Sequence, residues 1–357
     1  MIRWRTGVVE SLGRAWPGAM ELVARVEDTS VRCLAYPSMV GRPAPGDRVL
    51  LNTTALEQGL GTGGYALVVA VVDGELADDD RPGHLVKARY TPQQVSVQGV
   101  DEQGSPHHGV LRDADSIGGM PVVVADLHSA LPAVVAGIAA DRPGLRTVYV
   151  MTDGGALPLW FSRTVAALRE ADLLCGSVSV GQAFGGDLEA VTLHTGLLAA
   201  RLVLEADIAV VAQGPGNLGT GTRWGFSGVA AGEAVNAVAT LSGRPVASLR
   251  ISDADPRRRH RGVSHHSLTA YGRVALAPAD VVVPALSSPL RELVERDLAA
   301  LRERHRIVEV GVDGLENALH QLPVRLSTMG RDYGSDRAYF LAAAAAGRHA
   351  ATLLAPG

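Results

Sequence analysis

"DIAVVAQGPGNLGTGTRWGFSG", Asp207 to Gly228, runs from an unbroken apolar stretch straight into a loop of glycine, threonine and asparagine. A strand with one wet face alternates in polarity, whereas an unbroken run is buried on both faces, as in a parallel sheet covered by helices. The same phrase recurs outward in both directions: "PVVVA" from Pro121, "RTVYVM" from Arg146, "LLCGSVSV" from Leu173, "PVASLRIS" from Pro245, "DVVVPAL" from Asp280 and "RIVEVGV" from Arg306. Between the runs lie helix-length segments such as "LWFSRTVAALREAD", "LEAVTLHTGLLAARLVLE", "GVAAGEAVNAVATLSG" and "PLRELVERDLAALRERH". The expectation for residues 121–357 is an α/β domain with a parallel sheet flanked by helices, closed by a C-terminal helix over roughly Ser335 to Leu354.

Residues 1–75 read differently. Short β segments, "TGVVESL", "MELVARVE", "SVRCLAYP", "DRVLLNT" and "YALVVAVV", are separated by "WPG", "GRPAPGD" and "GLGTGG", a spacing that predicts a small N-terminal β-barrel-like domain. Residues 76–120 are expected to be a linker and a connecting β segment, with "GELADDDRPG", Gly74 to Gly83, as the linker. Seven arginines face eight carboxylates through Glu75, which gives the barrel no electrostatic case for oligonucleotide.

The net charge of -4 and a pI near 6.3 argue against nucleic acid as a global partner. No stretch has the apolar length of a signal peptide core or a membrane span, so a cytoplasmic protein without membrane contact is expected. Cys33 and Cys175 make neither a disulfide framework nor a CxxC pair. Lys87 is the only lysine among 33 basic residues, the rest being arginine. That bias suggests a GC-rich genome, in which a retained lysine marks a place where a compact or deprotonatable amine is needed, against the alternative of chance retention.

In a parallel sheet the loops leaving the C-terminal strand ends share one edge, where ligands bind. Those loops are "DLHS" with His128, "TDGGALP" with Asp153, "GQAFGGD" with Gln182, the glycine loop and "DADPRRRHRGVSHH", whereas the returning loops such as "DRPGL" and "SGRP" are plain turns. The glycine loop contains G-x-G-x-x-G as Gly214, Gly216 and Gly219. The letters fit a dinucleotide fingerprint, but the next helix starts only near Val229, too late to seat a pyrophosphate on its N-terminus. The same letters recur at Gly59, Gly61 and Gly64 before a strand, and no lysine follows Gly219, which excludes a Walker loop. What remains is a backbone-rich loop, Gly214, Gly216, Asn217, Gly219, Thr220, Gly221 and Thr222, able to cradle an anion or to serve as a structural turn.

Ile251 to Arg273 carries five arginines, three histidines and two aspartates. Arg257, Arg259 and Arg261 suit a carboxylate or phosphate, and a solvated loop is the competing reading. Asp253, Asp255, His260, His265 and His266 could ligate a metal, but their spacing matches no recognised pattern, and adjacent histidines diverge in regular structure. At a helix N-terminus His265 or His266 would stay neutral, as a base or as a simple cap. His194 shares a helical stripe with Leu198 and Arg201 and is expected to be half-buried.

Six motifs, "GHLVKARYTPQQ", "DLHSALPAVVAGI", "TDGGALP", "GQAFGGDLEAV", "GPGNLGTGTRWGFSGVAAGEA" and "SDADPRRRHRGVSHHSLTA", resemble in their order a bacterial family known as domain of unknown function 3866. The resemblance spans nearly the whole chain and implies no activity, cofactor or catalytic residue. It does put Lys87 in a family motif. Where that family has a histidine in "GHAFGGD" this chain has Gln182, so no catalytic histidine is carried over there.

The leading expectation is an enzyme acting on a small anionic metabolite, phosphorylated ones included. Asp153, His265, His266 and Asp253 would supply acid–base chemistry, Lys87 a stabilising charge or amine, and the glycine loop, Arg257, Arg259, Arg261, His128 and Gln182 the binding groups. The alternative is a non-catalytic metabolite sensor or interaction scaffold. Cofactor, metal, reaction type and oligomeric state stay open.

Overall fold

The computed structural model describes residues 1–61, 63–74 and 82–355, in two compact units, Met1–Val97 and Gln98–Gly357. The division falls later than position 75, because a short hairpin, β6 (Leu85–Lys87) with β7 (Val95–Val97), belongs with the first unit after five strands β1 (Trp4–Trp16), β2 (Ala19–Val26), β3 (Thr29–Ala35), β4 (Arg48–Asn52) and β5 (Ala66–Val71). Most of the linker stretch Gly74 to Gly83 lies outside the described residues.

The five strands close a barrel in the order β1-β2-β3-β5-β4, with β3 parallel to β5 and β1 antiparallel to both β2 and β4. One strand serves two neighbours because β1 is long and its pairing with β2 shifts register between Val9 and Ser11 and again between Leu12 and Ala15, which bends it round the barrel. This is the connectivity of a five-stranded Greek-key barrel of the OB type. Alternation sends Leu22, Cys33, Val49, Leu51, Ala66 and Val68 inward to a small core.

In the second unit eight strands form one parallel sheet: β8 (Pro121–Val124), β9 (Thr147–Thr152), β10 (Gly176–Ser179), β11 (Leu188–Glu189), β12 (Ile208–Gln213), β13 (Arg244–Ser248), β16 (Asp280–Pro284) and β17 (Arg306–Val310); between β13 and β16 the chain makes a two-strand excursion, β14 (Ile251–Ser252) with β15 (Gly262–Val263). The spatial order is β11-β10-β9-β12-β8-β13-β16-β17. The central strands are buried along their length, all but Thr152 at the end of β9, as unbroken apolar runs require. One face carries helices Leu131–Asp141, Arg163–Glu170, Leu315–His320 and Arg337–Thr352; the other carries Leu193–Leu202, Ala230–Thr240 and Leu290–Leu298.

Two expectations need correction. The helix expected to start at Leu188 begins at Leu193, where the Thr192 hydroxyl accepts a hydrogen bond from the Thr195 N–H, and Leu188–Glu189 is instead the sheet's edge strand. His194 therefore sits in the first helical turn and is exposed; the buried stripe is made by Leu197, Leu198 and the alanines after them. Among the described residues no helix is long and apolar enough to cross a membrane.

Candidate functional site

Strand order decides which loops meet. Along the C-terminal edge the sequence of neighbours is the β10 loop with Gln182, the β9 loop with Asp153, the glycine loop after β12, the β8 loop with Asp126 and His128, then the excursion after β13. From β8 the chain crosses over one face through helix Leu131–Asp141 to β9, and from β12 over the opposite face through helix Ala230–Thr240 to β13. Connections that part to opposite faces at neighbouring strands open a crevice at their ends.

At that crevice sit Asp126 and Gln213. Gln213, a polar residue ending the buried β12, donates from Nε2 to the Asp126 carbonyl at 2.7 Å and to Asn217 Oδ1 at 2.9 Å. Its Oε1 and the Asp126 Oδ2 are buried without a hydrogen-bond partner among the described residues. Burial pushes the Asp126 carboxyl up to about 6, against the pull of the Arg250 guanidinium. A buried polar atom left unpaired costs on the order of 1–3 kcal/mol, so two acceptors together at a switch point suit a ligand that donates hydrogen bonds to them.

Beside them the β13 excursion is held by buried ion pairs. Asp255 Oδ2 accepts from Arg250 at 3.0 Å, Arg257 at 2.9 Å and Arg331 at 3.1 Å, while Oδ1 accepts from the Arg257 N–H and Nε. Burial alone would raise this carboxyl, but the bonds to Arg257 hold it well below the usual range. Arg331 also donates through Nε to Asp336 at 2.8 Å, whose other oxygen is buried and has no partner among the described residues. Three guanidiniums therefore share the two carboxylates of Asp255 and Asp336.

Three imidazoles complete the excursion. His260 and His266 are buried and His265 is half-buried, and one ligand atom from each lies within 4.8 Å of the others. His265 and His266 open a short helix whose N-cap, Ser264, accepts from the His266 N–H, and their ring centroids are 4.4 Å apart. The Ser264 hydroxyl also bonds His260 Nδ1 at 2.7 Å, and His266 stacks flat on Phe226 of the glycine loop at 3.8 Å. The expected divergence of adjacent histidines fails here because Ser264 turns the backbone and Phe226 clamps one ring. Burial first, then neighbouring positive charge, lowers all three pKa values, His266 to about 3, so all three are neutral at pH 7.

Other residues named from the sequence are placed as follows. Asp153 is exposed and its Oδ2 accepts from the Gln182 N–H at 2.8 Å; Gly181, at φ +67°, is glycine because a Cβ would run into that carboxylate. At strand level β9 lies three spacings from β13, about 14 Å, so Asp126 rather than Asp153 neighbours the strand leading to the histidines. His128 is bridged by Tyr149 at 3.1 Å and Ser162 at 2.8 Å, and burial lowers it to about 4: a structural link. Lys87 is a buried residue of the first unit, on β6.

The glycine loop folds on itself: Thr220 N–H donates to Gly225, Ser227 N–H to Leu218, and Gly225 N–H to the Thr222 hydroxyl. Its tip exposes Leu218 (69%) and Trp224 (55%), and Gly214 and Gly216 lie at its base. Arg257 is committed to Asp255, as is Arg261 through its bond to the Asp255 carbonyl. Arg259 is exposed and reaches Gly221, while Asp253 lines an open groove of about 480 Å³ with Arg261 and the helix starting at Leu290.

The family described as protein of unknown function, DUF3866, matches residues 32–347. The chain belongs to the DUF3866 family. The match takes in every site residue named above, from Lys87 to Asp336, and of the barrel the end of β3 with β4 and β5. No curated protein matches the DUF3866 chain. The site residues that sequence reasoning passed over, Asp126 and Gln213, share one signal: a charged or amide side chain closing an otherwise apolar strand run.

Proposed function

We propose that this DUF3866 protein is an enzyme acting on a small anionic metabolite, phosphorylated compounds included, at the C-terminal edge of its parallel sheet. The observation that carries the reading is the gathering, at the topological switch point, of two buried acceptor atoms without partners among the described residues, Asp126 Oδ2 and Gln213 Oε1, which suit hydroxyl or amine donors of a metabolite, beside a guanidinium-rich network that suits its anionic group. Asp126, raised to about 6, is the proton carrier, since a group titrating near the working pH both gives and takes protons readily. The neutral histidines serve as acceptors or ligands. The exposed Arg259 beside Gly221 provides an anion contact without dismantling the buried network. The two free cysteines support a reducing, cytoplasmic setting.

The test is conversion of a panel of phosphorylated and carboxylated metabolites, followed by NMR, with the wild type and Asp126→Asn. Loss of about 10²–10⁴ in kcat in the variant, with the fold intact, is the expected result. Binding without conversion by the wild type would favour the sensor reading, and full turnover by the variant would remove Asp126 from the chemistry.

A further inference from the structure

We infer that His260, His265 and His266 form a binding site for a first-row transition-metal ion, with zinc the best fit. The three ligand atoms within 4.8 Å of one another are the geometric basis. Tetrahedral zinc with Zn–N near 2.0–2.1 Å places its nitrogens about 3.3 Å apart, so the rings close inward by rotation of side chains rather than by rebuilding the loop. The second observation is chemical: His265 Nε2 and His266 Nδ1 are buried and have no hydrogen-bond partner among the described residues. A satisfied core histidine would have spent those nitrogens.

The surroundings prepare the rings as ligands. With Nδ1–H donating to the Ser264 hydroxyl, His260 keeps Nε2 free as the coordinating nitrogen, the kind of imidazole-donated bond that fixes ring orientation at metal centres. Phe226 fixes the His266 plane by stacking. Three imidazoles are a borderline-soft donor set that selects zinc, cobalt, nickel or copper over magnesium or calcium. Three protein ligands also leave coordination positions for water or substrate, as catalytic rather than structural zinc sites do. Arg250, Arg257 and Arg259 lie close enough for their charge to act on these rings. They oppose a bare dication and favour one that carries an anion, so the metal and the proposed anionic substrate assist each other.

The inference goes beyond the proposed function, and its test uses no substrate, so each stands or falls alone. Full-length protein treated with chelator is titrated with Co²⁺ and read by its visible ligand-field absorption, then back-titrated with Zn²⁺. The expected result is one Co²⁺ per chain, displaced by Zn²⁺ and indifferent to excess Mg²⁺, with affinity about 100-fold or more weaker in His265→Ala. Because substitution at the buried His260 or His266 could unfold the loop, X-ray absorption of the zinc-loaded wild type provides a reading without variants. Imidazole scattering from three nitrogens at about 2.0 Å supports the site. No cobalt band, a band unchanged in His265→Ala, or a zinc shell without imidazole overturns it.

Discussion

Asp255 concentrates the electrostatics of the second unit in one side chain, with three arginines on two oxygens and no exposure. Removing one member of such a network strands the others as buried charges. Asp255→Ala should therefore cost about 3–5 kcal/mol in urea unfolding, whereas Asp253→Ala, two residues away and exposed, should stay within about 0.5 kcal/mol. The histidines set a pH response of definite sign. His305 accepts from the Ala279 N–H through Nδ1 and donates through Nε2 to the Tyr271 carbonyl, and its burial lowers the pKa; His128 is lowered to about 4. Each is neutral when folded, while the unfolded chain takes up a proton near pH 6.5. Their contribution is complete above that value and fades as pH falls, for His128 across the window from 6.5 to about 4, at about 1.4 kcal/mol per pH unit for each group. Urea midpoints measured from pH 7.5 to 4.5 should fall accordingly, with a shallower fall in His128→Gln.

At the scale of elements, the helices Leu131–Asp141 and Arg337–Thr352 cross with their backbones in near contact. A Cβ on Gly137 would run into the Ala344 carbonyl and one on Gly347 into that of Val134. Gly137→Ala and Gly347→Ala should each destabilise by at least about 1–3 kcal/mol, measured by thermal or urea unfolding, although alanine is the better helix former. The helical bias of "FLAAAAAG" is visible in the sequence; the reason for its small residues is not, because the partner lies some two hundred positions earlier. The parallel strands were legible for a physical reason, burial on both faces, which writes itself as apolar runs. Edge strand β11, two residues long and paired on one side, leaves no such trace, and its residues read as helix. The ends of the strands were legible as a loaded edge, yet that Asp126 and not Asp153 neighbours the strand leading to the histidines was not to be had from sequence, since strand order and not chain order sets neighbours. Likewise Arg331 meets Asp255 across 76 residues, a contact without local signature.

At the scale of the molecule, the proposed function places a small anionic metabolite at the β8–β12 switch point, among Asp126, Gln213 and the excursion after β13. Ligand that binds only the folded state raises stability by linkage, about 2.7 kcal/mol at a hundredfold excess over Kd. The most direct measurement is a thermal-shift series with inorganic phosphate and phosphorylated metabolites at constant ionic strength, on the wild type and on Arg259→Ala, whose exposed guanidinium can be removed without touching the buried network. A saturable rise in Tm for one class of anion, reduced in Arg259→Ala, is the expected result. No rise with any anion, or an equal rise in the variant, would contradict the claim.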